Sequence, residues 1–375
     1  RRTVLESLAG AAVAAAQTPV AGSPRWAMQY FYDRDEDSFT MNDLVFPSRK
    51  FGLAVGFTSD KKGGKTKPIA LVTRDGGLKW DVQPLPDTGV SAFFRNDSLG
   101  WLVGEKAIWK TEEGGRDWKK LKIPKDANVV RVYFKDDQRG WAFGRHKTVI
   151  QTRDGGRTWT DVPEAEKPTT NPDYTTYHVM EWADPKSGVI VGFGMPPRRD
   201  AFTEPAWLDP EKASKRRQWP SMTIALETRD GGETWSPQTA PAFGVTTRFR
   251  ATADGLTLAL VKFTESFDYP SEVYFGKPRS GGANARVFRD KNRNVTDVAW
   301  WTQTKALLAA VEPPGKLHQL PIPGKLHMLT SSTMTQWTEM KVDYRAFANR
   351  AMLCVVDEAN AWVGTDTGQI LKLTA

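Results

Sequence analysis

The sequence predicts an all-β fold: a seven-bladed β-propeller whose blades are four-stranded antiparallel sheets. Three observations predict it. A motif with two adjacent glycines recurs four times, a Gly-flanked apolar phrase precedes each copy, and 31 Gly and 24 Pro are spread along the 375 residues. Frequent turns favour many short strands over long helices. The 15 Trp and 18 Phe are ample for a large core.

The repeated motif is clearest at residues 152–159, Thr-Arg-Asp-Gly-Gly-Arg-Thr-Trp, and recurs at 73–80, 111–118 and 228–235. It resembles the Asp-box of sialidase-like propellers. In a hairpin turn of this kind the carboxylate accepts backbone N–H groups, the glycines permit positive φ, and the Trp is an apolar anchor. We therefore assign a structural rather than a catalytic role to Asp75, Trp80, Trp118, Asp154, Trp159, Asp230 and Trp235.

The spacing of the motifs predicts the number of blades. Trp80, Trp118 and Trp159 are 38 and 41 residues apart, close to the length of one blade of about 40 to 50 residues. The longer interval to the fourth motif predicts an enlarged fourth blade that contains an insertion, residues 195–220. A degenerate copy of the motif ends at Trp337, and the interval from Trp235 to Trp337 fits two blades.

The two ends of the chain predict how the ring closes. The last unit, residues 352–373, contains three strands, and a strand-like run at residues 26–32 has no blade of its own. The N-terminal strand is therefore expected to supply the fourth strand of the last blade, which removes free sheet edges. Seven blades result.

The first residues resemble an export signal. Arg1 and Arg2 are followed by a weakly apolar, Ala-rich stretch, and the pattern is similar to a twin-arginine signal cleaved after Ala16. We expect residues 1–22 to be signal peptide and linker, residues 23–375 to be the propeller, and the protein to be periplasmic or secreted. A frayed Ala-rich helix is the alternative, because Glu6 interrupts the apolar run.

The net charge of +8 is predicted to concentrate on the loops opposite the repeated motifs. We call the following residues the basic loop face: Lys61, Lys62, Lys65, Lys67, Arg145, Lys147, Arg198, Arg199, Lys215, Arg216 and Arg217, with Trp207 and Trp219. Clustered positive charge favours acidic partners, and aromatic residues with Arg are enriched at interface cores. The face predicts an acidic protein, a membrane-protein client or an anionic membrane surface as partner. Solvated loops kept basic for solubility are the alternative.

The repeated phrases also carry a family resemblance. The phrase Gly-Trp-Xaa-Val-Gly followed by the repeated motif is clearest over residues 93–159 and resembles the photosystem II assembly and stability factor family of chloroplasts and cyanobacteria. The resemblance covers nearly all of residues 43–373. It implies a seven-bladed propeller that uses no cofactor and holds a protein client during assembly of a membrane complex. The client must be argued from the site, because one fold hosts many functions.

Catalytic chemistry has weaker support. The four histidines show no metal-ligand spacing, and the glycine pairs belong to turns rather than to a phosphate-binding loop. We expect a non-catalytic exported binding or assembly scaffold that is a monomer, binds no metal and takes no nucleic acid as partner. The alternative is a glycoside hydrolase of the sialidase-like propeller type, for which Glu181 and Asp184 are candidate carboxylates. Cys354, the single cysteine, is expected to pack as a small apolar residue.

Overall fold

The computed structural model describes residues 23–34, 36–60, 64–195, 220–263, 268–277, 284–313, 315–317 and 320–374. The predicted signal segment, residues 1–22, and residues 196–219 of the predicted insertion lie outside these ranges. The described part of the chain consists of β-strands and two short 3-10 helices. It contains no helix that is long and apolar enough to cross a membrane.

The first strand, β1 (Arg25–Phe31), precedes a series of antiparallel four-stranded meanders. The first meander comprises β2 (Asp37–Val45), β3 (Gly52–Asp60), β4 (Thr66–Thr73) and β5 (Asp81–Pro84). The second comprises β6 (Gly89–Phe94), β7 (Gly100–Gly104), β8 (Ile108–Thr111) and β9 (Lys119–Lys120). Each strand pairs with the next one along the chain.

Two further meanders form one eight-stranded sheet, because Arg145 of the first meander pairs with Thr176 of the second. The strands are β10 (Asn128–Phe134), β11 (Gly140–Arg145), β12 (Val149–Thr152) and β13 (Thr160–Asp161), then β14 (Thr175–Trp182), β15 (Gly188–Gly194), β16 (Ser221–Thr228) and β17 (Ser236–Ala242). The two 3-10 helices, Pro163–Ala165 and Pro172–Tyr174, lie between the two meanders.

The C-terminal third follows the same plan with additions. One meander comprises β18 (Val245–Ala251), β19 (Thr257–Lys262), β20 (Ser271–Gly276) and β21 (Ala285–Arg289). The remaining strands are β22 (Asn294–Trp300), β23 (Ala306–Val311), β24 (Gly315–Leu317), β25 (Leu320–Ile322), β26 (Gly324–Ser331), β27 (Thr338–Val342), β28 (Phe347–Ala348), β29 (Ala351–Asp357), β30 (Asn360–Thr365) and β31 (Gln369–Thr374). β24 and β25 pair with each other, and β28 pairs with β26.

The strand β1 joins the two ends of the chain. It pairs along its whole length with β31 in antiparallel orientation, and its first two residues also pair with β27 in parallel orientation. The last sheet therefore has the order β22-β23-β26-β27-β1-β31-β30-β29. The first strands of successive meanders contact one another in chain order, and β29 in turn contacts β2.

Aromatic side chains fill the space between neighbouring meanders. The ring of Trp101 on β7 stacks on the ring of Phe134 on β10, with centroids 3.6 Å apart, and Trp362 stacks on Phe46 in the same way at 3.8 Å. Glycine is required where such a ring crosses the backbone, because a Cβ at Gly100 would lie 2.5 Å from the ring of Phe94. The Gly-Trp-Xaa-Val-Gly phrases are thus second strands that pack against aromatic rings.

The four repeated motifs form turns between the third and fourth strands of their meanders, and we call them the Gly-Gly turns. In the turn at residues 152–159, Asp154 Oδ1 accepts the backbone N–H groups of Arg157 and Thr158 at 2.9 Å, and Thr152 Oγ1 accepts that of Gly156. Gly155 and Gly156 have φ of 74° and 92°, which favour glycine. Trp159 packs edge-on against Phe134.

Candidate binding site

The structure places part of the predicted basic loop face. Its described members lie where a second strand connects to a third strand, at the ends of the meanders opposite the Gly-Gly turns. Lys65, Lys67 and Arg145 are exposed there. The other members, apart from Lys147, lie outside the described residues: Lys61, Lys62, Arg198, Arg199, Trp207, Lys215, Arg216, Arg217 and Trp219.

Lys147 has a structural position instead. Its side chain is buried, with 5% of its surface exposed, and its ammonium group donates to the carbonyl oxygens of Pro168 at 2.8 Å and Glu166 at 3.1 Å. The residue also adopts the left-handed region with φ of 58°. Lys147 holds the segment between β13 and β14 in place, and as placed it is not available to a partner.

A different group of charged side chains converges among the first strands of the meanders. We call this group the inner charged cluster; it comprises Asp43 on β2, Arg131 on β10, Glu181 on β14, Arg248 and Arg250 on β18, and Asp297 on β22. Ion pairs connect Arg131 to Asp43, Arg248 to Asp297, and Arg250 to both Glu181 and Asp297. Residues from five meanders, distant in sequence, thus meet at one place.

A local irregularity directs these side chains. In the first strands the pairing with the second strand shifts by one residue, after Met41, Gly89, Val129, Tyr177, Thr246 and Val295, and near the end of β29 after Val355. A β-bulge of this kind re-aims the side chains next to it. Asp43, Arg131, Arg248 and Asp297 each occupy the first paired position after the shift. The cluster therefore depends on where the bulges fall in the strands.

The carboxylates of the cluster are held by backbone groups of the neighbouring strand. Asp43 Oδ2 accepts the N–H of Ala92 at 3.1 Å, and Asp297 Oδ2 accepts that of Leu353 at 3.0 Å. Asp297 Oδ1 accepts the Nε of Arg248 at 3.0 Å and the N–H of Val298 at 2.9 Å. Buried charges persist only when they are paired and hydrogen-bonded in this way.

The third carboxylate, Glu181, follows the same pattern. Its Oε1 accepts the backbone N–H of Ala251 at 3.3 Å, and its Oε2 lies 3.7 Å from Nη1 of Arg250. Burial raises the pKa of Glu181, while the charge of Arg250 and the hydrogen bond from Ala251 oppose that rise. The carboxylate is thus stabilised as an acceptor by fixed neighbours.

Two of the guanidinium groups, those of Arg131 and Arg250, are the most exposed members of the cluster. The side chain of Asp297 is 4% exposed and that of Asp43 10%, whereas Arg131 and Arg250 are 32% and 28% exposed. A guanidinium has five N–H donors, and among the described residues Arg131 makes one ion pair. The open side of the cluster therefore presents donors and positive charge.

Two neighbouring groups, Lys262 and His178, have pKa values that burial lowers first and the arginine charges of the cluster lower further. Burial, together with repulsion from Arg248, lowers the pKa of Lys262 to about 8. Burial lowers the pKa of His178 to about 4, although its hydrogen bond to Thr246 opposes the fall, and the charges of Arg248 and Arg131 lower it further. An anion at this place would be stabilised by the charges that disfavour a further cation.

The arrangement is suited to binding an anion rather than to acid–base catalysis. Each carboxylate of the cluster is engaged by a backbone N–H and an arginine, so none is positioned as an unoccupied acid or base. Within the described ranges no group of three or more His, Cys, Asp or Glu side chains could hold a metal ion. Asp184, the other predicted candidate carboxylate, accepts backbone N–H groups of its own turn.

The inner charged cluster was missed in the sequence, although a signal was present. Arg131 and Asp297 stand inside largely apolar strands, Asp43 precedes an apolar pair in β2, and Arg248 and Arg250 alternate along β18. A charge within an apolar strand of a repeat, at the same place in several repeats, is such a signal. The bulge that brings these charges together has no signature in the residue pattern.

Part of the chain matches the sequences of known photosystem II assembly proteins. The family model described as photosynthesis system II assembly factor YCF48 matches residues 111–192. The photosystem II assembly protein Ycf48 of Thermosynechococcus vestitus is 30% identical over 70 residues, which cover 16% of this chain and 20% of that protein. The photosystem II assembly lipoprotein Ycf48 of Prochlorococcus marinus is 23% identical over 281 residues, which cover 68% and 73% of the two chains. The chain thus matches about a fifth of the first relative's length and about three quarters of the second's.

The fold is similar to that of several solved structures. A structure described as YCF48 bound to D1 peptide matches with a TM-score of 0.60 and 16% identity, over 93% of this chain and 95% of that one. YCF48 from Cyanidioschyzon merolae matches with a TM-score of 0.58 and 13% identity, over 94% and 98%. The WD40 β-propeller domain of Doa1 matches with a TM-score of 0.55 and 10% identity, over 93% and 96%. The resemblance predicted from the repeats is therefore confirmed: the chain is an all-β protein similar in sequence and in fold to the propellers of the photosystem II assembly factor family.

Proposed function

We propose that this chain is a non-catalytic scaffold that binds an acidic segment of a membrane-protein client during assembly of a membrane complex. The observation that carries the proposal is the inner charged cluster, in which Asp43 and Asp297 are the least exposed charged side chains and Arg131 and Arg250 are the most exposed. A relative is described as bound to D1 peptide, and others are named as photosystem II assembly lipoproteins. These descriptions support a protein client for this chain as well.

Binding at the cluster would use charge-assisted hydrogen bonds. A client carboxylate that reaches Arg131 and Arg250 accepts N–H groups from guanidinium groups that are already fixed in orientation by Asp43 and Glu181. Such bonds are stronger than those between neutral groups, and Arg can bind a carboxylate in a bidentate manner. Prior fixation reduces the entropy that binding costs.

The exposed residues of the basic loop face extend the proposed contact. Lys65, Lys67 and Arg145 raise the local concentration of an acidic partner by long-range attraction. We expect the members of the basic loop face that lie outside the described residues to attract an acidic partner in the same way. In this proposal the loops attract the client and the inner charged cluster orients it.

We further propose seven blades, with β1 as the fourth strand of the last one. The antiparallel pairing of β1 with β31 and the contact of β29 with β2 support a closed ring. We also propose that the chain acts outside the cytoplasm, after export by the twin-arginine-type signal in residues 1–22, and that it acts as a monomer. Relatives named as lipoproteins support an exported protein.

The test is a titration of the chain with a fluorescein-labelled hexaglutamate peptide, followed by anisotropy at several salt concentrations. We expect R131Q/R250Q to bind at least about tenfold more weakly than the unaltered chain, which corresponds to about 1.4 kcal/mol. Binding by the unaltered chain should weaken as salt rises, because exposed charges are screened. Circular dichroism checks that the variant is folded.

The matched control is R116Q/R157Q, which removes two exposed arginines from the Gly-Gly turns. It lowers the net charge by the same amount but leaves the inner charged cluster intact. Equal loss in both double variants would mean that the peptide responds to overall charge. No loss in R131Q/R250Q would remove the cluster from the proposed site.

A further inference from the structure

A second surface with its own binding chemistry lies on the outer side of the molecule, where β1 meets β27. An open cavity of about 580 Å³ lies there, and its lining includes Arg25, Trp26, Lys325, Met340, Lys341 and Tyr344. We call it the seam groove. Its volume is in the range of ligand-binding clefts, about 300 to 1,000 Å³, and it is separate from the inner charged cluster.

The floor of the seam groove is apolar and its rim is aromatic. Trp26, Leu326 and Met340 lie at the floor and are 1%, 1% and 9% exposed. Tyr344 stands at the rim and is 85% exposed, the highest value among the exposed large hydrophobic side chains. An exposed Tyr offers a large amphipathic contact area and is enriched in interfaces.

The charges around the groove leave a positive surplus. Arg25, Lys325 and Lys341 are exposed, and none forms an ion pair within the described part of the chain. The two acids of the lining are already engaged, since Glu339 pairs with Arg293 at 2.6 Å and with His327, and Asp343 pairs with Arg345 at 2.8 Å. The hydrogen bond from Arg345 lowers the pKa of Asp343 to about 2.

A free strand edge runs beside the same groove. β1 pairs with β31 from Arg25 to Phe31, but its pairing with β27 involves Arg25 and Trp26 and stops there. Asp343 then turns the chain away, its N–H donating to the carbonyl of Trp26 at 2.9 Å. The carboxylate of Asp343 also lies beside the backbone N–H of Met28. From Gln29 onward, no described strand pairs with the outer edge of β1. Unpaired strand edges bind extended peptides by strand addition.

We propose that the seam groove binds an extended acidic peptide with alternating apolar residues, which adds as a strand to the outer edge of β1. Its acidic side chains contact Lys325 and Lys341, and its apolar side chains cover the floor beside Tyr344. Backbone pairing selects a polypeptide over a lipid or a free anion. The site lies outside the proposed client-binding cluster and adds a second contact on the rim of the molecule.

The test uses an acetylated, amidated and fluorescein-labelled peptide of sequence Glu-Leu-Glu-Phe-Glu-Leu, with binding followed by anisotropy. We expect K325E/K341E to weaken binding at least tenfold and Y344A to weaken it several-fold. The matched control, K119E/K120E, reverses two exposed lysines on the outer strand β9 and should bind as the unaltered chain does. R131Q/R250Q should also retain binding, so failure here and failure at the inner charged cluster are distinguishable.

Four outcomes would overturn the proposal. Equal losses in K325E/K341E and K119E/K120E would show a response to overall charge, and undiminished binding by K325E/K341E would place the peptide elsewhere. Binding that occurs only after removal of residues 1–22 would assign the groove to the chain's own N-terminal segment. Strand addition predicts that a peptide with N-methylated alternate amides binds at least tenfold more weakly, and equal binding would exclude that mode.

Discussion

His178, on the first strand β14, combines burial with a strongly lowered pKa. Its Nε2 contacts the carbonyl oxygen of Thr246, which can only accept, so Nε2 carries the proton. Its Nδ1 is buried and has no partner within the described ranges. Burial favours the neutral imidazole and, with the charges of Arg248 and Arg131, lowers the pKa to about 4.

This protonation state predicts a pH dependence of stability. Between the usual histidine pKa of about 6.5 and the value of about 4 in the folded chain, the unfolded state binds the proton more readily. The free energy of unfolding therefore falls as pH drops through this window, by up to about 3 kcal/mol. His178→Gln keeps an amide donor for Thr246 but cannot titrate.

The measurement is urea unfolding of both proteins at pH 7 and pH 4.5. The unaltered chain should lose more stability than His178→Gln over this range, because other titrating groups are common to both. Parallel losses in the two proteins would contradict a neutral, buried His178.

At the residue scale the sequence predicted turn chemistry well and side-chain placement poorly. Asp154 and the paired glycines of its turn act as predicted, because a turn depends on a few consecutive residues. Lys147 was predicted to face a partner and is buried, because its position depends on the carbonyls of a segment that follows about 20 residues later. Local chemistry is visible in a sequence, whereas distant backbone acceptors are not.

At the scale of strands, the carboxylates of the inner charged cluster act as cross-links between neighbouring meanders. Asp43 joins β2 to β6, Glu181 joins β14 to β18, and Asp297 joins β22 to β29. In each case an acid on one first strand accepts a backbone N–H near the middle or end of another. The first strands are thereby held in register without a direct sheet ladder between them.

Removal of one cross-link is predicted to be costly. Asp297→Ala leaves the N–H groups of Leu353 and Val298 without their acceptor and leaves Arg248 without its closest carboxylate. Loss of one partner of a buried ion pair costs about 3 to 5 kcal/mol. Urea unfolding measures the change in free energy of unfolding.

Asp254→Ala, at an exposed turn between β18 and β19, is the matched control and should change the free energy of unfolding by less than about 0.5 kcal/mol. A loss of similar small size for Asp297→Ala would contradict the cross-linking role.

Strand order was largely predictable because each meander repeats the same phrases. Gly100–Gly104 and Gly140–Arg145 are second strands, and the Gly-Gly turns follow third strands, as the motifs indicated. The strands β24 and β25 were not anticipated, since they lie where the repeat is most degenerate, and the two-residue strand β28 was not anticipated either. The bulges were missed because the residue pattern does not show at which residue the pairing of two strands slips.

At the scale of the whole molecule, the Gly-Gly turns and the proposed binding surfaces have separate roles. The turns connect third strands to fourth strands, and the inner charged cluster forms where the first strands meet. The sequence predicted the propeller from its repeats and favoured acidic partners from its net charge. It could not show which Lys and Arg side chains form ion pairs and which remain exposed, because the ion pairs join residues from five meanders.

The central claim is that the inner charged cluster holds an acidic segment of a membrane-protein client. The most direct measurement is capture of proteins from detergent-solubilised membranes of the source organism, quantified by mass spectrometry, with the unaltered chain, R131Q/R250Q and R116Q/R157Q as parallel baits. We predict that one membrane protein is enriched by the unaltered chain and by R116Q/R157Q and is lost with R131Q/R250Q. Equal enrichment by all three baits would contradict the claim.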